Sequence, residues 1–337
     1  MLKYKLKAIF GMKYKSFFNT IKEVHKKTGK SQISIFFDIL NCAIKYGAGH
    51  NDYKMFDFYN MKPENRDTYL TRFRSKKIVE YLNDPKYRDI INDKSLFNEK
   101  YKDFLGRKTI NANTATLDEF TSFINEHQTV FCKPPTGDSG KGIEKLSLSD
   151  FSSVEEFFNY VKEKGITVIE SIIVQHPDLA KVNPYAVNCM RLVTIVRNDK
   201  TVDVAYGVIK FGCSTSFVDN MGFGAVSAPI DLKTGQISQN AETCKREVFE
   251  KHPISGIIFK GFQIPLFDDA IELVKKAALV IPEIRQIGWD VCISENGPAI
   301  IEGNDWSDYM FWQLPEQTPD KIGLMPYYRK LLPELKI

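Results

Sequence analysis

The pattern of apolar and polar positions changes character about a third of the way along the chain. Before residue 105 the apolar residues recur at helical spacing. SQISIFFDILNCAIKYG opens on Ser31 as an N-cap and closes on Gly47, which predicts one helix. SKKIVEYLND (75–84) and NDKSLFNEKYKDFLG (92–106, stopping at Gly106) predict two more. After 110, short runs rich in β-branched residues take over and predict strands at QTVFCKP (128–134), ITVIE (166–170), MRLVTIVR (190–197), TVDVAYGVIKF (201–211), GWDVCIS (288–294) and PAIIE (298–302). Helical spacing returns at 117–126, 153–163 and 267–280. A boundary near 108 therefore separates a mostly helical front end from an α+β body. Neither part contains an internal repeat or a low-complexity tract.

Composition narrows the class. The 337 residues are 43% hydrophobic and 26% charged, with 24 Phe and 15 Tyr, enough bulk for a sizeable globular core. No run of 18 apolar residues is present, which excludes a spanning helix. The opening MLKYKLKAIFGMKYKSFF lacks the apolar core of a signal peptide. Six cysteines show no CxxC and no histidine at ligand spacing, the usage of buried reduced thiols in a cytoplasmic protein. A net charge of +4 is too mild to argue for nucleic acid as a partner. The charge is uneven, however. Residues 1–30 hold nine lysines against Glu23 alone, interleaved with Phe10, Phe17, Phe18 and Ile21. Such a segment could form a basic amphipathic helix resting on anionic lipid. A surface helix that packs one face and solvates the other is the commoner outcome of the same pattern.

Four constellations in the body carry chemistry. The first is Lys133-Pro-Pro-Thr-Gly-Asp-Ser-Gly-Lys-Gly142. Gly137, Gly140 and Gly142 would let backbone N–H groups close around phosphate oxygens, Thr136 and Ser139 add donors, and Lys133 and Lys141 add charge. The Walker A spacing is absent, and a Gly-Lys loop taken alone is equally a surface turn. The second is Glu170 at the end of ITVIE, followed by SIIVQHP. A carboxylate leaving an apolar strand suits a flat ring such as adenine, with the backbone of Ile172 and Ile173 reading its edge and Gln175 or His176 within reach of a ribose. The third is Arg191 opening one strand and Lys210 closing the next, positions that can face a phosphate or carboxylate or simply be solvated. The fourth is GWDVCISENGPAIIEGND, which brings Asp290, Glu302 and Asn304 onto adjacent strands. Three hard oxygen donors of this kind suit Mg²⁺, and buried carboxylates need a compensating cation.

In this order, a strand lysine with a Gly-rich loop, a strand ending in Glu, a basic strand end and then D-x(11)-E-x-N, the chain resembles the ATP-grasp superfamily over about residues 90–310. More narrowly it is similar to the ATP-grasp proteins associated with sugar transfer in bacterial surface-polysaccharide gene sets. The segments that carry this are FDILNCAIKYG, DYKMFDFY, CKPPTGDSGKGI, QHPDLAKVNPYAVNCMRLVT, FVDNMGFGAVSAPIDLKTG and IGWDVCISENGPAIIEGN. The resemblance implies an α+β ATP-grasp fold behind a helical region at 1–108, with a small subdomain at 109–172 and a large one at 173–337. It implies ATP and Mg²⁺ as cofactors, Lys133 on the α-phosphate side and residues 136–142 as a mobile lid. It implies Glu170 on the adenine amino group, Lys210 and Arg191 on phosphates or the acyl group, and Asp290, Glu302 and Asn304 on Mg²⁺. The superfamily usually has a further phosphate lysine upstream, a role for which Lys94 and Lys108 compete. Asp219 and Asn220 in VDNMGFGA would sit beside a small-molecule or sugar-linked acceptor, although Gly222 and Gly224 fit a plain turn. The implied chemistry is a carboxylate–amine ligase acting through an acyl-phosphate; a kinase acting on a hydroxyl would use the same nucleotide site.

Spacing alone makes a geometric prediction about the last hairpin. For Asp290 and Glu302 to share a metal they must oppose each other on one face, since the face alternates at every step along a strand. That predicts a three-residue loop, Glu295-Asn296-Gly297, with a positive φ at Gly297.

Overall fold

The computed structural model describes residues 14–137, 142–217 and 224–335. It divides into two compact units, one made of the chain up to Tyr81 together with the chain from Asp308 onward, the other of Leu82–Ser307.

In the first unit, helix α1 (Tyr14–Thr28) buries Phe17, Ile21 and Val24, spaced four and three residues apart. Helix α2 (Gln32–Tyr46) buries Ile35, Ile39, Cys42 and Tyr46 on the same principle. The rings of Phe17 and Phe36 meet edge to face with centroids 5.7 Å apart, tying the pair together. The helix ends where the sequence predicts, on Gly47 with φ 63°. Ser31 occupies the N-cap position, but its hydroxyl makes no capping hydrogen bond. Behind the helices lies a cluster of Phe56, Phe58 and Tyr69. The fully buried Asp52 beside it accepts from the N–H groups of Gly49 and Arg72 and from the Tyr309 hydroxyl.

The second unit holds two antiparallel sheets. Strands β1 (Thr109–Asn111), β2 (Thr129–Lys133), β3 (Glu144–Ser147) and β4 (Val168–Ser171) form the smaller one, in the order β1-β4-β2-β3. Its core is Val130, Cys132 and Ile169 against Phe120 and Ile124 of helix Leu117–His127 and Phe157 and Val161 of helix Val154–Glu163. The first of these helices starts at a capping box between Thr116 and Glu119, whose backbone N–H groups each donate to the other's side chain. Strands β5 (Met190–Val196), β6 (Val202–Phe211), β7 (Val226–Asp231), β8 (Gln236–Ile237), β9 (Ala241–Glu242), β10 (Val248–Phe249), β11 (Gln286–Ser294) and β12 (Gly297–Asn304) form the larger sheet. Its order is β10-β9-β7-β6-β5-β11-β12, with β8 against β7. Helix Phe267–Ala278 lays Phe267, Ala270, Val274 and Ala277 on it. Every residue of β11 is buried, and Trp289 within it donates to the Thr194 hydroxyl at 2.8 Å.

Two features go beyond the sequence pattern. The helical elements run to Phe104 and the first strand opens at Thr109, but the compact unit of the front end closes earlier, at Tyr81, because Ile91, Phe97, Tyr101 and Leu105 join the core of the large sheet. Phe97 stacks on Tyr101, whose ring meets Trp289 at 5.4 Å. The chain from Asp308 onward likewise leaves the body for the first unit.

The hairpin is the second. Its loop is Glu295-Asn296, two residues long, with Ser294 opposite Gly297. Carried along the strands, that register would set Asp290 against Ile301 and turn Glu302 to the other face. A bulge at Ile301 restores the pairing instead: Val291 faces Ile300, and the next pair is Asp290 with Glu302. The positive φ at Gly297 (117°) is as expected.

Candidate active site

The bulged segment is one end of a buried polar link between the sheets. Arg107 donates to the carbonyls of Ile300 (2.7 Å) and Ile301 (3.0 Å) in the large sheet and to the Glu170 carboxylate (2.8 Å) in the small one. The second Glu170 oxygen takes Lys133 Nζ at 2.5 Å, and Asn98 donates to the first at 3.2 Å. Sheet register explains the meeting. Both Lys133 and Glu170 sit on adjacent strands, β2 and β4, and Thr109 opposite Glu170 brings the chain of Arg107 alongside. Burial pushes the Glu170 carboxyl up, but Arg107 and then Lys133 overcome it and hold it well below the usual carboxylate range.

One face of the large sheet carries the second cluster. Arg191 on β5 opposes Asp290 on β11, which opposes Glu302 on β12; Asn304 lies two residues further along that face. Lys210 follows Val208, the partner of Arg191 on β6, by two residues and so shares it. Arg191 grips Asp290 through Nε and through Nη2 at 2.9 Å, and Lys210 reaches the same carboxylate at 3.3 Å. Burial raises the Asp290 carboxyl, yet Arg191 and Lys210 bring it far below its ordinary value. Glu302 is the opposite case. Burial and then the charge of Asp290 push its carboxyl up, and the pull of Arg191, Lys210 and Lys133 only partly offsets this.

The family model for sugar-transfer-associated ATP-grasp proteins matches residues 73–324. The chain belongs to that family. Solved structures similar to it include the ATP-grasp ligase PsnB with a minimal precursor (14% identity, TM-score 0.45, covering 75% of this chain and 64% of that one). Others are phosphoribosylamine–glycine ligase from Thermotoga maritima (14%, 0.40, 65% and 48%) and the D-cycloserine synthetase DcsG (13%, 0.40, 77% and 72%). The chain thus spans less than two thirds of the length of PsnB. No curated protein matches it.

The α+β ATP-grasp fold with a helical front end is as the sequence predicts. The candidate site residues of this family member fare unequally. Lys133, Glu170, Arg191, Lys210, Asp290, Glu302 and Asn304 gather in the two clusters just described. Of the two upstream lysines, Lys94 reaches the Gly-rich loop, donating to Gly137 O at 2.7 Å, while exposed Lys108 pairs through its backbone with Ser171. The described ends of that loop have the backbone only glycine adopts easily, with φ 141° at Gly137 and 74° at Gly142. Thr136 adjoins it, whereas Ser139, Gly140 and Lys141 lie outside the described residues, as do Asp219 and Asn220. Ile172 is partly exposed, and Ile173 packs with Cys189, Cys292 and Ala299. Gln175 is engaged within the chain: its amide donates to Asn183 O and accepts from the N–H and side chain of Asn188. Glu170 has one oxygen shared by Arg107 and Asn98 and the other on Lys133.

Arg107 and Asn98 escaped the sequence reading. The available signal was a basic pair, Arg107-Lys108, between Gly106 and a strand; the exposed member drew the attention and the buried one makes the contacts.

The donor set fits Mg²⁺. Asp290 and Glu302 oppose each other, Glu302 keeps an opening to solvent, and burial and then the charge of Asp290 raise its carboxyl, so a cation beside it would be favoured. The third donor is an amide: Asn304 turns its NH₂ to Gly288 O (3.4 Å), leaving its oxygen for another partner. No group of three or more His, Cys, Asp or Glu suited to a metal exists among the described residues, so the remaining ligands of an ion here would be water and phosphate. No helix among the described residues is long and apolar enough to cross a membrane.

Proposed function

We propose that the protein is an ATP-dependent carboxylate–amine ligase, joining an amino acid or amine to a sugar or sugar acid in surface-polysaccharide synthesis. The observation that carries this is the placement of Arg191 and Lys210 on the same sheet face as Asp290 and Glu302, within electrostatic reach of Lys133. Cations so arranged steady charge spreading over a transferred phosphoryl group, and no side-chain nucleophile is required. Buried His252 supports that view, since its ring nitrogens are taken by Gly212 O and by Ser255.

In this reading Lys94, Lys133 and the loop residues Thr136, Gly137, Ser139, Gly140, Lys141 and Gly142 hold the phosphates. Glu170 and Arg107 position Lys133, and Ile172 and Ile173 line the adenine. Asp290, Glu302 and Asn304 hold Mg²⁺, which when bound neutralises phosphoryl oxygens. Lys210 and Arg191 orient the acid, and Asp219 and Asn220 the acceptor. A carboxylate oxygen attacks the γ-phosphorus and ADP leaves with the bridging oxygen. An amine nitrogen then attacks the acyl carbon, phosphate departs, and the nitrogen loses a proton. The test is a panel of acids labelled with heavy oxygen, incubated with ATP, Mg²⁺ and amines. A ligase puts label into the released phosphate and forms an amide. A phosphorylated hydroxyl without labelled phosphate would replace this reading with a kinase.

A further inference from the structure

We infer that the outer face of the α1–α2 pair is a docking surface for an anionic membrane. Packing accounts for Phe17, Ile21, Val24, Ile35 and Ile39, but a second apolar stripe is left outside. On α2, Ile33 is 70% exposed, Phe37 62% and Ile44 53%, with half-buried Leu40 between them at helical spacing. On α1, Tyr14 and Phe18, four residues apart, are 58% and 52% exposed. A chain of ring contacts, Phe18–Phe17–Phe36–Phe37, each between 5.4 and 5.7 Å, ties the two stripes together through buried Phe17. Single exposed apolar residues are ordinary, whereas a contiguous set on neighbouring helices marks an interaction surface.

Charge identifies the occupant. Residues 14–46 carry Lys15, Lys22, Lys26 and Lys45, besides Lys27 and Lys30, which turn to Asp57 and to Tyr59 O, against Glu23 and Asp38. Both acids are already paired, Glu23 with Lys54 at 3.0 Å and Asp38 with Arg66 at 2.7 Å. Lys22 and Lys26 continue the Tyr14–Phe18 line at four-residue steps. Aromatic and aliphatic side chains rimmed by lysine are the chemistry of a helix lying at a headgroup boundary. A second copy would bring two lysine rims together. This inference is independent of the reaction catalysed.

The test uses the full chain and sedimentation with vesicles of phosphatidylcholine, alone or with roughly a third phosphatidylserine. Binding is expected only to the anionic vesicles at about 50 mM salt and release at about 0.5 M. The double variant F18S/F37S, changed only at exposed positions, should melt like wild type yet bind roughly tenfold more weakly; Lys22→Glu with Lys26→Glu should also lose binding. Wild type that stays in the supernatant, a double variant that binds equally well, or a wild-type dimer that Phe37→Ser converts to monomer would each overturn the inference.

Discussion

Glu170 in the small sheet and Glu302 in the large one are carboxylates of the same site in opposite electrostatic situations. Glu170 faces two cations and an amide donor and is held ionised well below the usual range. Burial raises the Glu302 carboxyl first and the facing charge of Asp290 adds to it, while the nearest cations, bonded to Asp290, only partly offset the rise. The difference separates two jobs that look alike in sequence, each being a Glu at the end of an apolar strand. A carboxylate whose charge is already balanced fixes the position of its partners. One whose charge is not balanced is a place for a cation to bind.

Removing the balance at Glu170 should have the largest effect. Arg107→Met leaves a buried carboxylate with Lys133 as its one remaining cation and removes the donor to the Ile300 and Ile301 carbonyls. The expected loss of stability is about 3–5 kcal/mol, read by denaturant unfolding. A loss under about 1 kcal/mol would mean that the link between the sheets is incidental. The hairpin that presents Glu302 should respond less. Gly297→Ala meets no atom within 4 Å, so only its φ of 117° resists the change, and about 1–2 kcal/mol of stability should go.

The smallest effect has the opposite sign. Glu302 is protonated at higher pH in the folded state than in the unfolded chain. The folded state therefore holds the extra proton between the ordinary carboxylate value and the raised one, and stability falls as pH rises through that window. Glu302→Gln removes the fall, so the metal-free variant should be about 1 kcal/mol more stable than wild type above the window and no more stable below it. Parallel pH–stability curves for the two proteins would contradict the assignment. Glu170 behaves in the reverse sense: its contribution is complete above the ordinary carboxylate value and is lost as pH falls toward its lowered one.

Which of this the sequence could show follows from the range of the interactions. Helices such as Leu117–His127 and the long strands were legible because their apolar period and caps are local. The opposition of Asp290 and Glu302 was legible from parity, yet the route to it was not. Counting residues cannot tell a three-residue loop from a two-residue loop followed by a bulge, and the bulge is fixed by Arg107, nearly two hundred positions away. The packing break at Tyr81, well before the change from helices to strands at Thr109, was hidden for the same reason. Phe97 and Tyr101 read as another helical face, and only Trp289 decides which core they join. Lys133, Glu170, Arg191 and Lys210 were each visible as strand-end charges, but their pairing needed the sheets.

The central claim, that Glu302 is the unbalanced carboxylate which takes the metal, is tested most directly by titrating a non-hydrolysable ATP analogue into wild type and Glu302→Gln, each with and without Mg²⁺. Wild-type affinity should rise at least roughly tenfold with the metal, while the variant keeps the metal-free affinity and loses most of that gain. A variant that retains the full effect of Mg²⁺ would contradict the account.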